Sequence, residues 1–206
     1  MYQYSASQWL LFFYLYCFLG WCVESTYVSI KDFHPVNRGF LKGPFLPLYG
    51  SGAVVMLVVS MPFKESIVLT YLAGCVGATI LEYITGVAME KLFKVRYWDY
   101  SRLKFNFQGQ ICLGTTLSWG LLTVLLTRFL HRPVEKFVLT LAVNQVQVIV
   151  IVLTVIIGID FVISFRAAID LKNILIKMDA AKKELWAIQR RLTEMLDYAA
   201  QFKNGI

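Results

Sequence analysis

Three carboxylates stand inside otherwise apolar stretches of the chain: Glu24, Glu82 and Asp160. Read as helices, those stretches end a few residues later, so at ~1.5 Å of rise per residue each acid lies roughly 7 to 12 Å inside a membrane face. A carboxylate at that depth costs at least ~2.5 kcal/mol on insertion scales, so each must be protonated, paired or facing water. Glu82, Gly86 and Glu90 follow at intervals of four. The two glutamates then drift only about 80° around the helix, with Gly86 expected to leave open space between them in one polar stripe. The cations within reach are Arg38, Lys42, Arg96 and Arg102 in adjoining loops, and an arginine fork suits a carboxylate or a bound phosphate. The candidate substrate-binding set is therefore Glu24, Asn37, Arg38, Glu82, Glu90, Asp99 and Asn106. The competing reading is that Arg38 and Arg96 merely close salt bridges that hold the loops onto a bundle. Nothing in the set names a catalytic residue.

Other chemistries lack their residues. His34 and His131 each stand alone in sequence, so no histidine metal site is expected and no metal or cofactor is called for. Cys17, Cys22, Cys75 and Cys112 fall in or beside apolar runs without a Cys-x-x-Cys pair, which reads as buried thiols. No Gly-x-x-x-x-Gly-Lys-[Ser/Thr] occurs, so the chain does not hydrolyse ATP by itself through a P-loop.

The elements that must carry the acids are membrane helices. With 58% apolar and 15% aromatic residues, the chain is too greasy for a soluble domain. A span needs about 20 mostly apolar residues, because lipid offers no hydrogen bonds to a backbone that is not helical. Five stretches qualify, 9–30, 46–61, 66–89, 111–130 and 137–165, the second being the shortest. The first has no basic residue before it and no small-residue cleavage site after it, which predicts an anchor and not a signal peptide. The expected fold is an all-α polytopic bundle, with 1–165 as its transmembrane domain and 166–206 as a separate cytoplasmic helix.

Sixteen Lys and Arg fall on the side holding the loops after the first and third spans and the tail, against four on the other. Positive loops resist translocation, so the N-terminus is placed outside and the C-terminus in the cytoplasm of a plasma membrane. The net charge of +7 is then topological and gives no reason to propose nucleic acid; some tail lysines would sit against anionic headgroups.

The loop 33–50 contains Pro35, Gly39, Gly43, Pro44, Pro47 and Gly50, too many breakers for a helix, with Phe40, Leu41, Phe45 and Leu46 between them. It should be irregular and partly buried, either dipping back into the bundle or packed on headgroups. Tyr97, Trp98 and Tyr100 read as an aromatic belt, with Asp99 capping a helix or entering the acidic stripe. Gly20-x-x-x-Glu24 before one basic loop echoes Gly86-x-x-x-Glu90 before the other, which suggests two parallel hairpin repeats. Beyond residue 165, Ile174, Met178, Ala181, Leu185, Ile188, Leu192, Met195, Ala199 and Phe202 recur at spacings of four and three. That seam favours a coiled coil over residues 174–202, made by a homo-oligomer or with a partner helix.

Gly20-Trp21-x-x-Glu24, Asn37-Arg38-Gly39-Phe40-Leu41-x-Gly43-Pro44-x-x-Pro47-x-Tyr49-Gly50, Glu82-Tyr83-x-x-Gly86-x-x-x-Glu90 and Trp98-Asp99-Tyr100-Ser101 together resemble the putative type IV ABC-transporter permease family, also called CmpB-like. The resemblance spans roughly 9–125 and implies a permease subunit in the bilayer that needs a separate ATPase. The leading expectation is a permease-like protein with a polar site open to the cytoplasm. A membrane enzyme acting on a lipid headgroup, with Glu24 or Glu82 as base and Arg38 as phosphate clamp, is the second. A scaffold recruiting a partner through its coiled coil is the third.

Overall fold

A computed structural model describes residues 4–94 and 96–204, with side chains described as far as Leu196. The chain is all-α, in two compact units, Met1–Phe165 and Arg166–Ile206.

In the first unit, α1 (Ala6–Asp32) starts at a capping box: Gln8 N donates to Ser5 Oγ at 3.3 Å and Ser5 N to Gln8 Oε1 at 2.8 Å. It ends at Phe33, whose φ of 56° is left-handed. Next, α2 (Pro47–Ser60) runs on through a 3-10 turn to Phe63. Ser66 caps α3 (Ile67–Phe93), which stops at Lys94 with φ 58°. A short antiparallel pair follows, β1 (Asn106–Phe107) with β2 (Ile111–Cys112), and leads into α4 (Leu113–Leu125). A π-helical turn, Leu126–Leu130, joins α4 to α5 (His131–Thr140). Last comes α6, Val143–Asn204, which enters the second unit at Arg166.

Four helical runs are long and apolar enough to cross a membrane: Ala6–Asp32, Ile67–Phe93, Leu113–Thr140 and Val143–Leu196. Pro47–Phe63 is a shorter apolar helix, so the five expected spans become four and a short one. Two boundaries differ from expectation. Residues 47–50 are the first turn of α2 and not loop, because a proline at the first position of a helix gives up no hydrogen bond and has its φ preset. Residues 137–140 close α5 and do not open the last helix; the break at Leu141 is extended, and Ala142 N donates to Gln145 Oε1 at 2.9 Å. An apolar run reads straight through so short an interruption.

Helices pair where one lacks a side chain. A Cβ on Gly20 would strike Tyr49, and one on Gly50 would strike Cys17, which brings α1 against α2. Gly74 meets Thr123 and Gly120 meets Cys75, which brings α3 against α4 in the same way. Phe12, Leu11, Met56, Leu57, Leu126, Val138, Val146 and Val150 form the core between them.

The segment after α1 turns back along that helix. Val36 N donates to Ser29 Oγ at 2.9 Å, Arg38 N to Ser25 Oγ at 3.2 Å, Trp21 Nε1 to Asn37 Oδ1 at 2.6 Å, and Leu46 N to Cys17 O at 3.0 Å. The α1 partners fall every fourth residue, so the strap follows one face for twelve residues, about 18 Å. It is irregular backbone whose N–H groups are met by Ser29 and Ser25 side chains and the Cys17 carbonyl of α1 and by Asp160 of α6, the condition on which such backbone survives beside an apolar bundle. Leu41 and Leu46 are buried under it, and Phe40 packs on Phe93 and Phe161.

The second unit is helical from Arg166, with Ile174, Met178, Leu185, Ile188, Leu192 and Met195 all exposed. Ala199 and Phe202 of the expected seam lie outside the described side chains.

Candidate functional site

The proposed residues fall into two groups. The first is built on α1 and its strap. Glu24 accepts from the Tyr49 hydroxyl at 2.7 Å through Oε2, and Arg38 Nε lies 3.6 Å from its Oε1. Asn37 turns the strap by accepting from Trp21 and donating Nδ2 to Lys42 O at 2.6 Å.

The second group is built on α3, the hairpin and α4. Glu82 is 4% exposed and receives three neutral donors: Trp119 Nε1 at 2.9 Å and Thr115 Oγ1 at 3.5 Å from α4, and Tyr100 Oη at 3.0 Å from the loop. Among the described residues no cation stands within ion-pair distance of it. Glu90, two turns on, takes Arg96 Nε at 2.8 Å on one oxygen and Gln110 Nε2 at 2.5 Å on the other. Gly86 between them is not open space, because the end of the Gln110 side chain occupies it and a Cβ there would collide with Gln110 Oε1. The missing side chain is what admits Gln110 to Glu90.

Asp99 and Asn106 shape the loop. Asp99 Oδ1 accepts from Ser101 N at 2.9 Å and from Ser101 Oγ at 2.5 Å, with Arg96 Nη1 at 3.5 Å. Those bonds to Ser101, then Arg96 and Arg102, hold its carboxyl below the usual aspartate range. Bonding to Glu90 first, and the nearby Asp99 charge, raise Arg96. Asn106 Nδ2 donates to Leu103 O at 2.8 Å, and its Oδ1 accepts from Gly109 N at 3.1 Å. Gly109, at φ 70°, passes beneath Asp99, Ser101 and Arg96, where no side chain fits. Trp98 donates Nε1 to Gln110 O at 2.9 Å and Tyr100 points to Glu82, so two of the three belt aromatics turn inward while Tyr97 stays exposed.

Tyr100 joins the second group through Glu82. Burial pushes its hydroxyl well above the ordinary range, followed by Glu82, Cys112 and Tyr49.

Asp160 shares the expected depth but joins neither group: it takes Lys42 N at 3.2 Å and Gly43 N at 2.8 Å, pinning the strap to α6. Sequence reasoning left out Tyr49, Tyr100, Gln110, Thr115 and Trp119, neutral donors whose types carry no signal until the fold brings them to an acid. It read His131 only as a lone histidine; the residue is buried at the other ends of the helices with Nδ1 2.8 Å from Tyr16 Oη and Nε2 3.2 Å from Tyr4 Oη. His34 lies exposed, its Nδ1 3.0 Å from Asp32 O. Among the described residues no group of three His, Cys, Asp or Glu gathers as metal ligands.

The family model described as "Putative ABC-transporter type IV" matches residues 11–165, three quarters of the chain and every residue of both acidic groups. The chain belongs to that family. Membership in the type IV ABC-transporter family agrees with a multi-pass membrane protein of apolar helices. The match ends where the first compact unit ends, leaving the tail helix outside it. No curated protein and no solved structure matches the chain.

Proposed function

We propose that the chain is the membrane subunit of a transporter, and that Glu24, Asn37, Arg38, Glu82, Glu90, Asp99 and Asn106 build its polar site, open to the cytoplasm. The observation that carries this reading is Glu82: a buried carboxylate on a membrane helix, served only by neutral donors among the described residues. An acid so placed can take up a proton or a small cation and give it back, whereas one closed by arginine cannot. With Pro47–Phe63 crossing as a short fifth span, the basic loops face the cytoplasm and the N-terminus lies outside.

The two hairpins serve as related halves. In each, a glycine four residues before a glutamate seats the side chain that donates to that glutamate, Gly20 with Tyr49 for Glu24 and Gly86 with Gln110 for Glu90. In each, a loop arginine completes the site, Arg38 or Arg96. Residues 174–202 recruit a second copy or a partner helix through their heptad seam, which is exposed from Ile174 to Met195. A separate ATPase supplies the drive, since the chain holds no P-loop.

The test is flux into proteoliposomes containing the full chain, read with an entrapped pH-sensitive dye while a potassium gradient with valinomycin supplies the driving potential in place of the ATPase. Flux above protein-free liposomes, cut at least tenfold by Glu82→Gln, is the expected result. Equal flux with and without protein would remove the proposal.

A further inference from the structure

At the C-terminal end of α3 lies a cavity of about 360 Å³ walled by Glu90, Lys91, Lys94, Arg96, Gln108 and Gln110. Three cations face one carboxylate, and both oxygens of that carboxylate are engaged, by Arg96 and Gln110. Lys91 and Lys94 make no ion pair among the described residues. Tyr83 donates to Gln108 Oε1 at 3.1 Å, so the part of that side chain left to the cavity is its donor amide. Apart from Val87, the walls thus offer positive charge and the Gln108 amide, while the Glu90 oxygens and Gln108 Oε1 are engaged and Gln110 Oε1 is turned against Gly86. Lysines at the end of a helix commonly answer its dipole; Arg96, held by Glu90 and by Asp99 at 3.5 Å, and the two hairpin glutamines lie beyond the helix and add donors to the same cavity.

We propose that this cavity binds a phosphate group, carried by an anionic lipid headgroup or free in solution. A phosphate brings the charge and the several acceptor oxygens that such walls lack, and arginine and lysine together are its usual holders. The inference rests on the proposed transport site only in sharing Glu90 and Arg96.

Calorimetric titration of the detergent-solubilised full chain with inorganic phosphate, dioctanoyl phosphatidic acid and dioctanoyl phosphatidylcholine tests it. Binding of phosphatidic acid alone assigns the site to a headgroup, and binding of both phosphate and phosphatidic acid assigns it to the phosphate itself. In either case Lys91→Gln with Lys94→Gln should weaken binding at least tenfold, with Lys172→Gln and Lys177→Gln, in the tail, as a charge-matched control. Lys91, Lys94 and Lys177 are exposed and Lys172 is half-buried, so elution as a single species alongside wild type checks that the variants fold. No binding of either phosphate compound, equal binding of phosphatidylcholine, or equal weakening by the tail pair would overturn the proposal. Titration reads binding without flux, so a chain that binds but carries no flux refutes the transport reading alone, and one that carries flux but binds neither refutes this one alone.

Discussion

Trp119 donates its indole N–H to Glu82 at 2.9 Å, tying α4 to α3 through a carboxylate that is almost wholly buried. Trp119→Phe keeps the ring's bulk and removes the donor. A buried acceptor deprived of one partner costs about 1 to 3 kcal/mol, so the variant should unfold earlier in a denaturant series in detergent. Glu82→Gln with Trp119→Phe should lose less than the sum of the two single changes, since the pair acts as one unit.

Arg38 and Glu24 stand 3.6 Å apart with the arginine side chain 52% exposed. An exposed pair of this kind couples by about 0 to 1 kcal/mol. A double-mutant cycle of Arg38→Ala with Glu24→Gln should therefore return a small coupling energy, and Arg38→Ala with Glu82→Gln should be additive. A coupling of several kcal/mol in either cycle would mean a desolvated cluster of all three.

Gly86→Ala should push Gln110 off Glu90. Overpacking of this size costs about 1 to 3 kcal/mol, read as a lower midpoint of thermal unfolding. Gly52→Ala, where open space surrounds the position, should change little.

Asp160→Ala removes the acceptor for Lys42 N and Gly43 N and should free the strap from α6. Hydrogen exchange at residues 42 and 43 should speed up at least tenfold, with α1 protected as before.

Asp99 should titrate below the ordinary value of about 3.9. A depressed carboxylate stabilises the fold above its unfolded value and loses that contribution as pH falls through the folded one. The Asp99 to Ser101 turn should therefore persist at neutral pH and open only in strong acid, as read by the carboxyl carbon shift of Asp99 in a labelled sample. A midpoint above the ordinary value would contradict the turn.

Hydropathy made the helices legible, because lipid dictates long apolar runs. It could not show the break at Leu141 and Ala142, where the sequence stays apolar to the next helix. Glu24, Glu82 and Glu90 stood out because a carboxylate in an apolar run needs an explanation. Their partners were hidden by chain distance: Tyr49 lies 25 residues from Glu24, and Trp119 lies 37 from Glu82. The fold-back of the strap was equally hidden. Pro35, Gly39 and Pro44 announce irregular backbone, but its partners on α1 and α6, Ser25, Ser29, Trp21 and Asp160 among them, decide where it lies. His131 carries no signal in sequence because its partners, Tyr4 and Tyr16, come from the far end of the chain.

The central claim, that Glu82 is an exchangeable acid held by neutral donors, is tested most directly by infrared difference spectra of the reconstituted full chain across a pH series, wild type against Glu82→Gln. The account predicts a carboxyl carbonyl band that appears and disappears reversibly with pH in wild type and is missing from Glu82→Gln. Wild-type and Glu82→Gln spectra that superimpose throughout the series would contradict it.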